Sequence, residues 1–235
     1  MWGRKQDYNI SLSEFSGEVC LVLYHSPCFL NCNWCFNKNN LKSTLLNYES
    51  AVKIIEDNKE YISSVCLSGG EPFLSKDFYD ICEYVKDNGL KLKINTSGIV
   101  SPYLDDLDAD YVNISFKGDF SRYSKLGFKG SEDELKYNIE NLSSHNFSDL
   151  IEWSIVYHPL IIDLEKVKLF MDSLSVVPDF ICLNQLQVGD CLDSFINDFT
   201  PPSRADLVDN VKLFREIPTK HLLIESREFG REIIL

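Results

Sequence analysis

From residue 19 to near the end of the chain, short apolar runs alternate with stretches of helical periodicity, and this alternation limits the fold more than any other feature. Runs at 19–25, 65–68, 90–96, 111–116, 151–157 and 180–186 read as strands. Helical spacing falls between them at 48–61, 76–88, 102–107, 132–145 and 164–174. Asn88-Gly89 supplies a stop for the second of these helices, and Ser131 with Glu134 has the pattern of a capping box. Strands that alternate with helices run parallel and are joined by right-handed crossovers. Six such units, with a further strand at 221–225, predict an α/β fold, a partial (β/α)6 TIM-like open barrel. One domain over residues 1–235 is enough for a chain of this length. Residues 188–203, rich in Gly, Asp, Asn and Pro, read as a loop over the active face.

In this architecture chemistry collects where the strands end and the βα loops begin. Polar or unusual segments fall at those ends here. A cysteine-rich loop follows the first strand, Gly69-Gly70-Glu71-Pro72 the second, and Asn95-Thr96-Ser97-Gly98 the third. Ser115 and Lys117 close the fourth, His158 the fifth, and Gln185 with Gln187 the sixth. Alone, most of these have ordinary readings: Gly-Gly-Glu-Pro is a turn that starts a helix, and Trp34 is a core residue. Their shared position makes them site candidates.

The chain holds 23 Lys and Arg against 36 Asp and Glu, a net charge of −13, which disfavours a nucleic-acid partner. No apolar run reaches the length of a membrane span, and the N-terminus lacks a signal peptide's apolar segment, so a cytoplasmic location is expected. Eight cysteines in such a setting argue against a disulfide framework. Cys20, Cys66, Cys82 and Cys182 sit in apolar patterns and read as core, whereas Cys191 lies in the loop at the active face.

Three cysteines, Cys28, Cys32 and Cys35, crowd into the loop at 26–37. Closely spaced thiolates suit an iron–sulfur cluster, and three of them leave the fourth iron open for a small molecule. The alternatives are a zinc site with His25 drafted as fourth ligand, or a buried cluster of metal-free thiols.

Cys-x3-Cys-x2-Cys directly after a first strand, with the aromatic Trp34 before the third cysteine, resembles the signature of the radical S-adenosylmethionine (SAM) superfamily. Gly69-Gly70-Glu71-Pro72 is similar to that superfamily's Gly-Gly-Glu-Pro element, which holds the SAM amino group. The resemblance implies a [4Fe–4S] cluster on the three cysteines, SAM bound at the open iron, and reductive cleavage of SAM to a 5′-deoxyadenosyl radical. The chain looks closest to the activating enzymes of glycyl-radical proteins, above all that of anaerobic ribonucleotide reductase. Ser11-Leu12-Ser13-Glu14-Phe15-Ser16-Gly17 is similar to their lead-in, and Cys35-Phe36-Asn37 to their Cys-His-Asn, with Phe in place of His. By this likeness Asn37, Asn95 and Thr96 fall near SAM, the last two at its ribose, and Lys117 meets its carboxylate. Ser115 stands where the motif carries Asp, which removes a charge beside SAM. Gln185 and Gln187 occupy the region of a ribose-contacting element. The implied partners are a glycyl-radical enzyme and, as electron donor, a flavodoxin or ferredoxin, in an anaerobic setting. Two other readings stand beside this one: a radical SAM enzyme acting on another peptide or a small molecule, and an electron-transfer or sensory iron–sulfur protein without SAM.

Overall fold

The computed structural model describes residues 8–25, 27–36, 47–100, 108–189 and 191–235. Nine strands form one sheet whose spatial order is the order of the chain: β1 (Tyr8–Ser11), β2 (Cys20–His25), β3 (Ser64–Gly69), β4 (Lys91–Thr96), β5 (Ala109–Phe116), β6 (Ser148–Tyr157), β7 (Phe180–Gln185), β8 (His221–Ser226) and β9 (Gly230–Ile233). From β2 to β8 every pairing is parallel, while β1 and β9 add antiparallel at opposite edges. The helices are α1 (Tyr48–Asn58), α2 (Phe78–Asp87), α3 (Phe120–Lys125), α4 (Glu132–Leu142), α5 (Leu164–Asp172) and α6 (Arg204–Val211). No helix of the described residues is long and apolar enough to cross a membrane.

The expected open α/β barrel is present, with seven parallel strands rather than six. The further strand at 221–225 is β8, a full member of the sheet. Four elements go beyond the sequence reading. β1 and β9 are edge strands of four residues each, too short to show alternation. α3 is a six-residue helix started by Asp119, whose side chain accepts the Arg122 N–H. α6 follows the 188–203 region and did carry a signal, the reciprocal capping box of Ser203 and Asp206. The predicted helix at 102–107 lies outside the described residues.

Side chains divide between the two faces of the sheet with period two. One face carries Leu21, Leu92, Ile94, Val112, Ile114, Trp153, Ile155, Ile181, Leu183 and Ile224, all in the large core with Ile55, Ile81, Val85, Ile139, Val167 and Leu207 from the helices. Helices on one face of strands in unbroken sequential order wind the sheet as in a barrel, with no reversal point of the doubly wound kind. The inner face is different. Phe15, Cys20, Val22, Cys66 and Tyr111 form a separate small core there, with Leu150 and Phe180 packed against it, and many of the other inward positions are polar. The register sets Lys93 beside Tyr111, Asn95 beside Asn113, Ser115 beside Ser154, and Asn184 beside Glu225.

Four charges close the floor of this trough. Lys93, 2% exposed, pairs with Glu14 at 3.2 Å and lies 4.4 Å from the Tyr111 ring centroid. Glu152 accepts from the Tyr111 hydroxyl and is ion-paired with Arg231, which also donates to Tyr111 at 3.1 Å. Burial is the largest single influence and works against the Glu14 charge, but Lys93, Asn95 and Arg231 together outweigh it, and its carboxyl sits below the ordinary value of 4.5. The lead-in before β2 and the last strand thus meet through buried ions.

Removing one member of such a network strands the others. Glu152→Ala is expected to lower stability by about 3–5 kcal/mol, read as a lower urea midpoint with little change in slope. The depressed Glu14 group contributes stability that is complete above its unfolded value of 4.5 and is lost as pH falls through the lower folded value. Glu14→Gln should therefore flatten the acid limb of a midpoint-versus-pH curve.

Candidate active site

The cysteine loop leaves β2 and is fastened on three sides. On the first, the Gly70 N–H donates to the His25 carbonyl at 2.7 Å and the Glu71 N–H to the Pro27 carbonyl at 3.0 Å. A side chain at Gly70 would collide with the Pro27 carbonyl, and one at Gly69, which has φ of 108°, with the His25 backbone. Both positions need glycine because the strand end and the loop touch backbone to backbone. On the second side the Asn31 N–H donates to Leu126 O at 2.8 Å, just past α3. On the third, Leu192 N–H donates to Cys35 O at 3.1 Å and Asp193 N–H to Asn33 O at 2.8 Å. Trp34 is buried, with the Arg122 guanidinium 5.1 Å from its ring centroid.

Glu71 is fully buried behind this contact. Its carboxylate accepts from Thr96 Oγ1 at 2.7 Å, Ser97 N–H at 2.9 Å and Ser97 Oγ at 2.6 Å. Burial raises its pKa, and the Ser97 and Thr96 donors and Lys117 oppose the rise. The Tyr123 hydroxyl continues the chain of bonds, donating to Ser97 O at 2.9 Å and accepting the Lys117 N–H at 3.2 Å. The ends of β3, β4 and β5 are joined in this way.

In front of them lies a cavity of about 380 Å³. Cys28, Cys32, Cys35 and Trp34 form one wall. Gly69, Gly70, Asn95, Thr96, Ser115 and Lys117 form a second. These ten residues singled out from the sequence share one cavity, and Phe36, Ser97, Gln185 and Gln187 line it as well. Glu71 and Pro72 do not line it: the carboxylate is held behind the wall, and Pro72 opens a short 3-10 turn (Pro72–Leu74). Asn37 lies outside the described residues. Lys117 Nζ donates to Ser115 Oγ at 2.7 Å, so the serine that replaces the motif's Asp still engages the lysine.

Among the described residues no disulfide joins any of the cysteines. Burial pushes Cys28 up to about 11, with Lys117 acting against the shift, and raises Cys32 as well. Thiols held in this state become ligands when a metal's own charge draws off the proton. Among the described residues no three His, Cys, Asp or Glu side chains gather as a single ion requires. His25, the fourth ligand of the zinc alternative, lines a separate small cavity with Pro72 and Phe78. Three thiols on one cavity wall suit a polynuclear cluster, in which each binds a different iron. Three buried acceptors without a protein partner, Asn95 Oδ1, Asn113 Oδ1 and Ser154 Oγ, also face this cavity's lining, and they fit it for a polar ligand.

Other candidates prove to be fastenings. His158 accepts the Leu160 N–H at Nδ1, so its proton is on Nε2, 3.2 Å from Thr200 O, and its ring stacks on Phe199. Gln185 is used at both ends, donating to Pro202 O at 2.7 Å and accepting Arg227 N–H at 3.0 Å. Gln187 donates to Gln185 O at 3.3 Å, and Cys191 is buried with its thiol 3.2 Å from Gln187 O. These bonds hold residues 188–203 against the barrel mouth. Sequence reasoning passed over Ser154, Asn184 and Glu225, which form the third wall. Their signal was period two: each is an inward position in register with a polar neighbour.

The pattern of the radical SAM superfamily matches residues 25–171. The chain belongs to that superfamily. Its [4Fe–4S] cluster and SAM are therefore this protein's cofactors. Two Methanocaldococcus jannaschii proteins that carry the name glycyl-radical enzyme activating enzyme are similar to it. One is 28% identical over 71% of this chain and 66% of its own length, the other 25% over 88% and 90%. A GTP 3′,8-cyclase of Methanococcus maripaludis is 31% identical over 48% of this chain and 41% of its own. The chain thus spans just under two thirds of the first relative and two fifths of the cyclase. The structure of Streptococcus suis SuiB bound to S-adenosylmethionine shares the fold, with a TM-score of 0.64 at 17% identity, over 88% of this chain and 50% of that one.

Gly70→Ala should detach the cysteine loop from β3 while leaving the sheet intact. In the iron-free protein, alkylation of Cys28 followed by mass spectrometry should become several-fold faster than in the wild type, with unchanged far-ultraviolet circular dichroism. An unchanged rate would show that the glycine contact does not hold the loop.

Proposed function

We propose that Cys28, Cys32 and Cys35 hold the cluster, that the second wall holds SAM, and that the chain activates a glycyl-radical enzyme by taking a hydrogen atom from a glycine. The observation that carries the reading is that one cavity collects the three thiols, the Gly69-Gly70 edge and the Lys117 cation. When bound, the cluster supplies the electron that splits SAM into methionine and a 5′-deoxyadenosyl radical. Lys117, steadied by Ser115, binds the SAM carboxylate. The backbone at Gly69 and Gly70 receives the amino group. Asn95 turns Oδ1 to the ribose, since its Nδ2 is bonded to the Glu14 carboxylate. Thr96 lies at the ribose, and Glu71 acts on it from behind, as the clasp that sets the two strand ends. Trp34 packs the loop and keeps water from the thiols. A flavodoxin or ferredoxin is the proposed reductant and an anaerobic cytoplasm the setting.

A second reading, a radical SAM enzyme acting on a small molecule or on another peptide, is favoured by the likeness to the GTP 3′,8-cyclase. The two differ in where the abstracted hydrogen comes from. Reduced protein with SAM and a deuterated-glycine form of a glycyl-radical enzyme should give labelled 5′-deoxyadenosine and a glycyl radical in the paramagnetic resonance spectrum. Label arriving only from a small metabolite would end the activase reading.

Cys28→Ala, Cys32→Ala and Cys35→Ala should each lose the cluster on anaerobic reconstitution, whereas Cys20→Ala, Cys66→Ala and Cys182→Ala keep it, as read by iron content. Lys117→Ala should keep its iron and weaken SAM binding by about 1.5–3 kcal/mol, tenfold or more in Kd. An unchanged Kd would leave Lys117 as a strand-end lysine without a ligand.

A further inference from the structure

The cavity's third wall serves neither the thiols nor the proposed SAM contacts. It is built by Ser154 and Val156 of β6, Asn184 and Gln185 of β7, and Glu225 of β8, and it begins beside Ser115, the register partner of Ser154. Gln185 is consumed at both ends by backbone groups, and Asn184 Oδ1 accepts from the Cys182 thiol at 3.0 Å. What is left to face a ligand is an acceptor set. Ser154 is 1% exposed and its Oγ has no partner, and the Oδ1 of Asn113, one strand away, is buried and equally unmatched. Among the described residues the Glu225 carboxylate has no ion-pair partner. The nearest cation, Arg231, is spent on Glu152 and Tyr111.

We propose that Glu225, with Asn113 and Ser154, is the substrate-recognising wall of the cavity and takes a cationic N–H group of the substrate, of the guanidinium or alkylammonium class. A half-buried carboxylate beside unmatched oxygens calls for a donor that carries charge, because a ligand with acceptors alone would leave the carboxylate and the Asn113 Oδ1 unpaired. The electrostatics agree: burial first, then the Glu14 and Glu152 charges, raise the Glu225 pKa against the pull of Arg231, so a bound cation relieves a standing imbalance. Lys117, the cation on the second wall, is held by Ser115, so the two walls differ in sign. An anionic end of a ligand is drawn to one and a cationic end to the other. The inference rests on the reading of the second wall as the SAM wall and is independent of which enzyme, if any, is activated.

The test uses the cluster-loaded protein with SAM under anaerobic conditions and calorimetric titration with three probes: agmatine, acetyl-Gly-Arg-amide and acetyl-Gly-norleucine-amide. At least one of the two cationic probes should bind and the norleucine peptide should not. Glu225→Gln should weaken the cation by tenfold or more while the SAM Kd stays within twofold. Preference for the peptide identifies a basic residue beside the target glycine, and preference for agmatine a small cationic metabolite; both support the wall. Equal binding to wild type and variant, a SAM Kd that moves with Glu225→Gln, or no binding of either cation would overturn the proposal. Should Glu225→Gln not fold, Ser154→Ala reads the same wall. Loss of the activase reading would appear in the deuterium experiment alone and would leave these titrations unaltered.

Discussion

A carboxylate with no access to water keeps its charge only if donors surround it, and Glu71 has three, all from Thr96 and Ser97. The rest of the site depends on this clasp. It draws the end of β4 against the end of β3 and fixes the direction in which Gly69 and Gly70 present their backbone to the cysteine loop. The same serine carbonyl receives the Tyr123 hydroxyl, which in turn receives the backbone of Lys117. A buried, fully satisfied anion therefore positions groups on three strands without touching the cavity.

This arrangement explains what was legible in the sequence and what was not. Parallel strands wrapped by helices write apolar runs into the chain, so the barrel and its order could be read directly. The cysteine loop and Gly-Gly-Glu-Pro were legible because thiol spacing and backbone contact tolerate few other residues. The division of labour within the motif was not. Glu71 reads as a lining residue on paper, yet its carboxylate lies behind the wall and is bonded to Thr96, a pairing across 25 positions that no local pattern announces. The third wall was missed for a related reason: Ser154, Asn184 and Glu225 are single polar residues in apolar strands, and only the register reveals that they face one space.

The inner face also accounts for an odd feature of the composition. A chain with net charge −13 nevertheless sets Lys93 in its interior, 2% exposed. The lysine is balanced by Glu14, and Arg231 by Glu152, so the floor of the trough is neutral overall though densely charged. Apolar side chains would seal the floor as well, but they would not tie the lead-in before β2 and the edge strand β9 to the centre of the sheet. Ionic closure does so at the two places where an open barrel has no neighbouring strand.

Leu192 and Asp193 bond to the backbone of the cysteine loop from far along the chain. On the ribosome the thiols therefore emerge long before the segment that completes their cradle. Until then a nascent chain exposes three closely spaced cysteines with only the β3 and Leu126 contacts to shape them, open to stray metal ions and to oxidation. The order of synthesis thus completes the cradle only once Leu192 and Asp193 have emerged, and makes the interval before it the period in which this protein is most easily spoiled.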